Sequence, residues 1–431
     1  MTRAALGLLD RARRLLRESL LRNSAMLVLA AVELSAGGFL FWQLASHLFT
    51  PAEVGRAGVL ISASTLIATL SLLGMNSSLV RYLAEWPDPA RTVNSGSMLV
   101  ATTATVGALG YALATAWLVP ELALARVGPI AAFVLLTVGA AVSMYNDNLF
   151  VAVRRSGYVL GRTTLVVLLR MILPLALLAA GAFGLFVAYW LAVAVPLLAY
   201  LVVMDRRLGL PPRLQLDVWR LRAMWRYAAG YYAASTILTV PALLMPILVA
   251  QRLDTEQAAY FYITSLLAGV LMFVPQSVAR SLFAEVNHDA SELRRLLLRV
   301  LSVTAATQLP LLVVLVAVGR FVLGLFGPTY VQAYPLLVLL GVASALGSVG
   351  VIGGILLLVW RRLRQLCQLA AVACVASVAG AYLLADRGLV WVGWSILAGQ
   401  ALLAVGYLRV ISVALRTAVP DLPARQFSGA R

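Results

Sequence analysis

The sequence predicts an all-α polytopic membrane protein with about twelve transmembrane helices in two six-helix lobes. Three observations carry that expectation. The chain is 62% hydrophobic with a mean hydropathy of +0.93, more apolar surface than a soluble core hides, so lipid must solvate much of it. Runs of about 20 apolar residues, long enough to span hydrocarbon, recur twelve times. Arginine is dense in every second connection and sparse in the others, the asymmetry that orients membrane helices.

The first element is residues 1–23, where Leu8, Leu9, Ala12, Leu15, Leu16 and Ser19 share one side and arginines the other. This reads as an amphipathic helix lying on the cytoplasmic surface, retained because it is too long and too basic for a cleaved signal. The first lobe, residues 24–204, holds spans near 25–46, 57–80, 97–119, 129–152, 163–183 and 185–204. Its first two spans are divided by LASHLFTPAEVGRAG, residues 44–58. There Thr50 can cap, Pro51 suits the first helical position and Glu53 can complete a capping box. The last two spans meet tightly at Gly181–Gly184. A charged cytoplasmic linker, 205–226, leads to the second lobe, 227–412. Spans there fall near 227–250, 258–280, 299–318, 334–358, 365–385 and 389–410, before a cytoplasmic tail, 413–431.

Charge placement sets the topology and excludes several functions. With the N-terminus inside, the cytoplasmic segments carry 6, 2, 3, 6, 4, 3 and 4 arginines in order. The outside loops carry only Arg56, Arg126, Arg252, Arg320 and Arg387, and both termini are cytoplasmic. The net charge of +17 is then topology and attraction to anionic lipid, and no nucleic-acid partner is expected. All 34 basic residues are arginine, which excludes a Walker A loop and a Schiff-base lysine. Cys367 and Cys374 share one apolar run without metal-ligand spacing, and His47 and His288 lie in separate loops, so no metal is expected. No loop is long enough for a catalytic domain, and the outside acids Glu53, Glu121, Asp254, Glu256 and Asp386 are scattered. An enzyme is not expected, and catalytic residues none.

The halves repeat. VAQRLDTEQAAYFY echoes the first punctuation about 205 residues later, with Asp254 or Thr255 as cap and Gln257 answering. The following spans exit through LVRYLAE and VARSLFAE. An even number of spans per half makes these parallel repeats, with a cavity expected between lobes that rock to alternate access. Gly37 and Gly38 in span 1, and Pro241 and Pro246 in span 7, are candidate helix-bending positions at matching depth. Glycine and proline are also common in membrane helices generally, which is an equal reading.

The segment FWQLASHLFTPAEVGRAGVLISASTLIATLSLLGMNSSLVRYLAE resembles the opening of Wzx-type polysaccharide flippases, in the superfamily that includes the multidrug and toxin extruders. NLFVAVRRSGYVLGRTTLVVLLR and FVLGLFGPTYVQAYPLLVLL agree with it. The resemblance implies flipping of a polyprenyl-pyrophosphate-linked oligosaccharide across a bacterial inner membrane for cell-surface polysaccharide synthesis. An ion-coupled multidrug exporter of the same superfamily is the alternative. Expected partners are membrane lipid, the lipid-linked saccharide, and a polysaccharide polymerase or glycosyltransferases around a monomeric carrier. No cofactor is expected beyond a coupling ion, proton or sodium.

Three charges fall within first-lobe spans: Glu33, Asp147 and Arg170. They form one layer, each costing about 2.5 kcal/mol or more if left in lipid. Arg170 would pair with an acid or meet the pyrophosphate, while Glu33 or Asp147 would take the coupling ion. Snorkelling is the other reading of Arg170 and Asp147, which lie near helix ends. Arg81, Arg154, Arg155, Arg162 and Arg280 at the inner mouth could attract the diphosphate, although topology alone also explains them. The second lobe offers Gln276, Gln308 and Gln400, suited to sugar hydroxyls or to helix-to-helix hydrogen bonds.

Overall fold

The computed structural model describes residues 3–118, 126–153, 155–279, 293–360 and 362–416, with residues 3–24 described by backbone alone. Among the described residues every regular element is helical: α1 (Arg3–Leu48), α2 (Pro51–Ser71), α3 (Met75–Glu85), α4 (Pro89–Leu118), α5 (Val127–Ala152), α6 (Ser156–Ala176), α7 (Gly181–Leu208), α8 (Val218–Arg252), α9 (Thr255–Gly269), α10 (Leu293–Gly324), α11 (Tyr334–Val359), α12 (Leu363–Leu384) and α13 (Leu389–Arg416). Twelve helical segments are long and apolar enough to cross a membrane. The chain is a multi-pass membrane protein. The short α3 is the one helix named above that contributes no span.

Helix starts follow the punctuation. Pro51 is the first residue of α2. Asp254, extended at φ −159°, caps α9 by accepting the Gln257 N–H at 2.7 Å.

Helix ends depart from the sequence expectation in four places. Helix α1 runs unbroken from Arg3, so the predicted surface helix continues span 1; its side chains through residue 24 lie outside the described residues. The predicted span 57–80 breaks at Leu73 (φ 46°) and Gly74 (φ 75°). The break costs little because neighbouring helices satisfy the freed carbonyls. Tyr232 Oη donates to Leu70 O at 2.6 Å and Thr103 Oγ1 to Ser71 O at 3.0 Å. A side chain at Gly74 would also press its Cβ to 2.7 Å from the Ala228 methyl. The α6–α7 turn falls at Leu177–Gly181, where Gly181 takes φ 55°, rather than at Gly181–Gly184. The 205–226 segment is helical at both ends, with Gly209 (φ 63°) closing α7.

The chain forms two compact units, residues 1–50 with 60–232, and residues 51–59 with 233–431. In the first, α1 packs along α6, and α4, α5 and α7 pack together around stacked Tyr111, Phe133 and Phe186. In the second, α11 packs on α13 and α13 on α12. Leu297, Ile352, Leu356 and Ile411 form part of its core. The start of α2, residues 51–59, belongs to this second unit and packs on the start of α9. Gly55 of α2 lies so close to the Thr255 carbonyl that a Cβ would overlap it, and a Cβ on Gly58 would sit 3.2 Å from the Tyr262 ring.

Two glycine substitutions test this backbone contact. Gly55→Ala should lower the melting temperature of the detergent-purified protein by several degrees, since overpacking costs about 1–3 kcal/mol. Gly38→Ala, whose Cβ meets nothing within 4 Å, should hold or raise it. Intrinsic-fluorescence unfolding reads both.

Candidate charged site

The first unit places its buried charges where α1, α5, α6 and α7 adjoin. Gly37 sets the approach of α1 to α6: a Cβ there would fall 2.5 Å from a Val167 methyl. One turn away on both helices, Thr164 Oγ1 donates to Glu33 Oε2 at 3.0 Å. Glu33 is half-buried. Gly37 thus serves a close helix contact, and α1 passes both glycines without interruption.

Arg170 lies further along α6 and is only 5% exposed. No carboxylate pairs with it among the described residues, and its buried Nε has no hydrogen-bond partner. Its guanidinium instead lies 3.8 Å from the ring centroid of Tyr189 on α7. Tyr189 belongs to an aromatic cluster with Phe41 at 5.3 Å, Trp42 at 6.5 Å and Trp190 at 5.1 Å between centroids. Trp190 is anchored by donating Nε1–H to Ser64 Oγ at 2.7 Å. A desolvated cation–π contact contributes about 2 kcal/mol, less than removing a charge from water costs. Arg170 therefore retains unused capacity to bind an anion.

The expected pairing of Arg170 with an acid is corrected here. Arg162 takes Asp147 instead, with Nη2 to Oδ2 at 2.7 Å, and donates from Nη1 to Ser143 Oγ at 2.6 Å. Tyr200 lies under the same guanidinium at 5.3 Å and donates its hydroxyl to Tyr158 O at 3.0 Å. Sequence reasoning left Arg162 at the mouth because it started the fifth span at residue 163. Helix α6 starts at Ser156 and carries Arg162 inward, to 11% side-chain exposure. With Arg162 included, the first unit holds two acids and two bases where α1, α5, α6 and α7 adjoin. The expected single layer is corrected: Arg170 stands about 12 Å further along α6 than Arg162. Asp147 Oδ1 and both side-chain polar atoms of neighbouring Asn146 are buried without partners. Thr164 and Tyr189 were also missed, because a hydroxyl or a ring carries no charge to mark it.

The remaining candidates are dispersed. Arg81 on α3 is exposed, pairs with Glu85 at 3.3 Å and lies 4.5 Å from the Tyr227 ring. Arg155 is exposed just before α6, and Arg154 and Arg280 lie outside the described residues. In the second unit, Pro241 and Pro246 sit within α8, and Pro241, Gln276 and Gln400 line a cavity. Gln308 is a helix contact, donating Nε2 to Leu271 O at 2.7 Å.

The sequence profile of the polysaccharide biosynthesis proteins matches residues 44–335. The chain belongs to that family. No curated protein matches it in sequence. Three solved structures share its fold. MATE in the straight conformation superposes with a TM-score of 0.65 at 16% identity, covering 93% of this chain and 97% of that one. A multidrug resistance MATE family transporter of the MOP superfamily matches in its inward-facing conformation, with a TM-score of 0.64 at 14% identity over 90% of this chain and 96% of that one. Such a transporter also matches in an outward-facing conformation, with a TM-score of 0.63 at 15% identity over 93% and 96%. This polysaccharide biosynthesis family member therefore has the twelve-helix fold of those structures.

Double substitution resolves the Arg162–Asp147 pair. Arg162→Ala or Asp147→Ala alone should cost about 2–3 kcal/mol, less than a fully buried pair, because Asp147 keeps 31% side-chain exposure. Changing both should cost clearly less than the sum of the two, as thermal unfolding of the four proteins would show.

Proposed function

We propose that this protein flips a polyprenyl-pyrophosphate-linked oligosaccharide from the cytoplasmic to the outer leaflet of a bacterial inner membrane, with both termini in the cytoplasm. The observation that carries the proposal is Arg170, a buried guanidinium with no carboxylate partner in a chain whose family serves polysaccharide biosynthesis. A permanently charged planar donor suits a diphosphate, whose oxygens accept from several N–H groups at once. In this reading the diphosphate displaces weak aromatic contact with full hydrogen bonding, while Tyr189 holds the guanidinium extended until the anion arrives.

Glu33 is proposed to take the coupling ion, proton or sodium. It is the one of the two acids with no arginine opposite, held by a neutral hydroxyl, so its charge stays available. Asp147, already matched by Arg162, serves the shape of the site. The polymerase or glycosyltransferases that make and use the cargo are the expected neighbours of a monomeric carrier.

Depletion of the protein should accumulate complete lipid-linked saccharide on the cytoplasmic side, measured by lipid extraction and mass spectrometry. Losing one charge-assisted contact is worth about 1.5–3 kcal/mol, so Arg170→Gln at normal expression should restore less than about a tenth of the transport. Glu33→Gln should block transport without lowering thermal stability. Unchanged lipid pools with new sensitivity to cationic dyes would instead favour the ion-coupled multidrug exporter.

A further inference from the structure

The second unit contains a cavity of about 430 Å³ between α8, α9, α11, α12 and α13, within the roughly 300–1,000 Å³ range of small-molecule sites. None of the residues lining it carries a charge. Its polar side chains are nonetheless numerous and unspent. Ser265, Ser344, Ser377, Gln276 and Gln400 all line it, and none has a hydrogen-bond partner among the described residues. Ser377 is only 4% exposed.

Helix α8 adds acceptors. Pro241 and Pro246 have no N–H to give the carbonyls of Ile237 and Ala242, four residues earlier. Both of those residues line the cavity. The site thus offers hydroxyls, amides and backbone carbonyls in both donor and acceptor roles, with no field to attract an ion. That is the complement of an uncharged group bearing several hydroxyls.

A second hollow of about 500 Å³ lies on the adjoining face of α8. Val240, Leu244 and Leu248, spaced one turn apart, form one wall, and Val375, Val378 and Tyr382 of α12 form the other. Cys374 of α12 lines both hollows, so the seam between α8 and α12 joins a neutral polar chamber to an apolar groove.

We propose that this seam is a binding site for a neutral glycolipid, its saccharide hydroxyls in the chamber and its hydrocarbon chain in the groove. The site rests on the flippase reading for its place in transport.

Cys374 reports occupancy directly. In full-length protein carrying Cys367→Ser, reconstituted in phosphatidylethanolamine–phosphatidylglycerol vesicles, alkylation of Cys374 by N-ethylmaleimide is followed by mass spectrometry. Adding monoglucosyl diacylglycerol to the vesicles should slow alkylation about fivefold, as four-fifths occupancy would. Diacylglycerol alone or free glucose should slow it less than about twofold. Gln400→Leu, or Gln276→Leu if the first variant misfolds, should remove the protection while leaving the unprotected rate unchanged. Equal protection by diacylglycerol, protection that survives both substitutions, or a Cys374 that never reacts would overturn the site. The assay involves no transport. Protection together with unchanged lipid pools after depletion would keep the site and remove the flippase reading; pooled cargo without protection would do the reverse.

Discussion

In hydrocarbon a peptide N–H or C=O has no water to turn to, and each one left alone costs several kcal/mol. The rest of the structure follows from that. Helices are the only regular elements among the described residues, and a helix stops at depth only where something else accepts its free carbonyls. The turn at Leu72–Gly74 shows the condition being met: α4 and α8 lend hydroxyls to the end of α2 before the chain reverses. The α8 prolines show it left partly open, beside a cavity.

Side-chain charge faces the same scarcity and is handled differently by each unit. The first gathers its charges where α1, α5, α6 and α7 adjoin and satisfies them unequally. Arg162 has a carboxylate, a hydroxyl and a ring, whereas among the described residues Arg170 has a ring alone. The second lines its cavity with groups that bond without ionising.

Span number, the helix starts at Pro51 and Asp254, and the presence of Glu33, Asp147 and Arg170 in the first unit's spans were legible in the sequence. Each leaves a local mark: an apolar run, a capping residue or an unexpected charge. Helix ends were less legible, because hydropathy records where lipid begins and not where hydrogen bonding stops. Helix α6 begins at Ser156 although the apolar run begins later, and that difference moved Arg162 inward from the mouth. Partnership was least legible. Whether Arg170 meets Asp147 or Tyr189 depends on which face of α6 turns towards α5 and which towards α7. The polar cavity was hidden because serines and glutamines scattered over separate helices share no sequence pattern.

The balance of these charges has an electrical consequence. Moving one elementary charge across the membrane costs or releases about 2.3 kcal/mol per 100 mV. Glu33, Asp147, Arg162 and Arg170 cancel in formal charge, so a rigid displacement of the four together through the field does almost no net electrical work. These four groups therefore give the resting potential no net charge to act on. On the proposed function, voltage enters when a charge is added, as an ion neutralising Glu33 or a diphosphate seated on Arg170 would make these groups electrically visible. Any voltage dependence of the cycle then belongs to the passengers and not to the carrier.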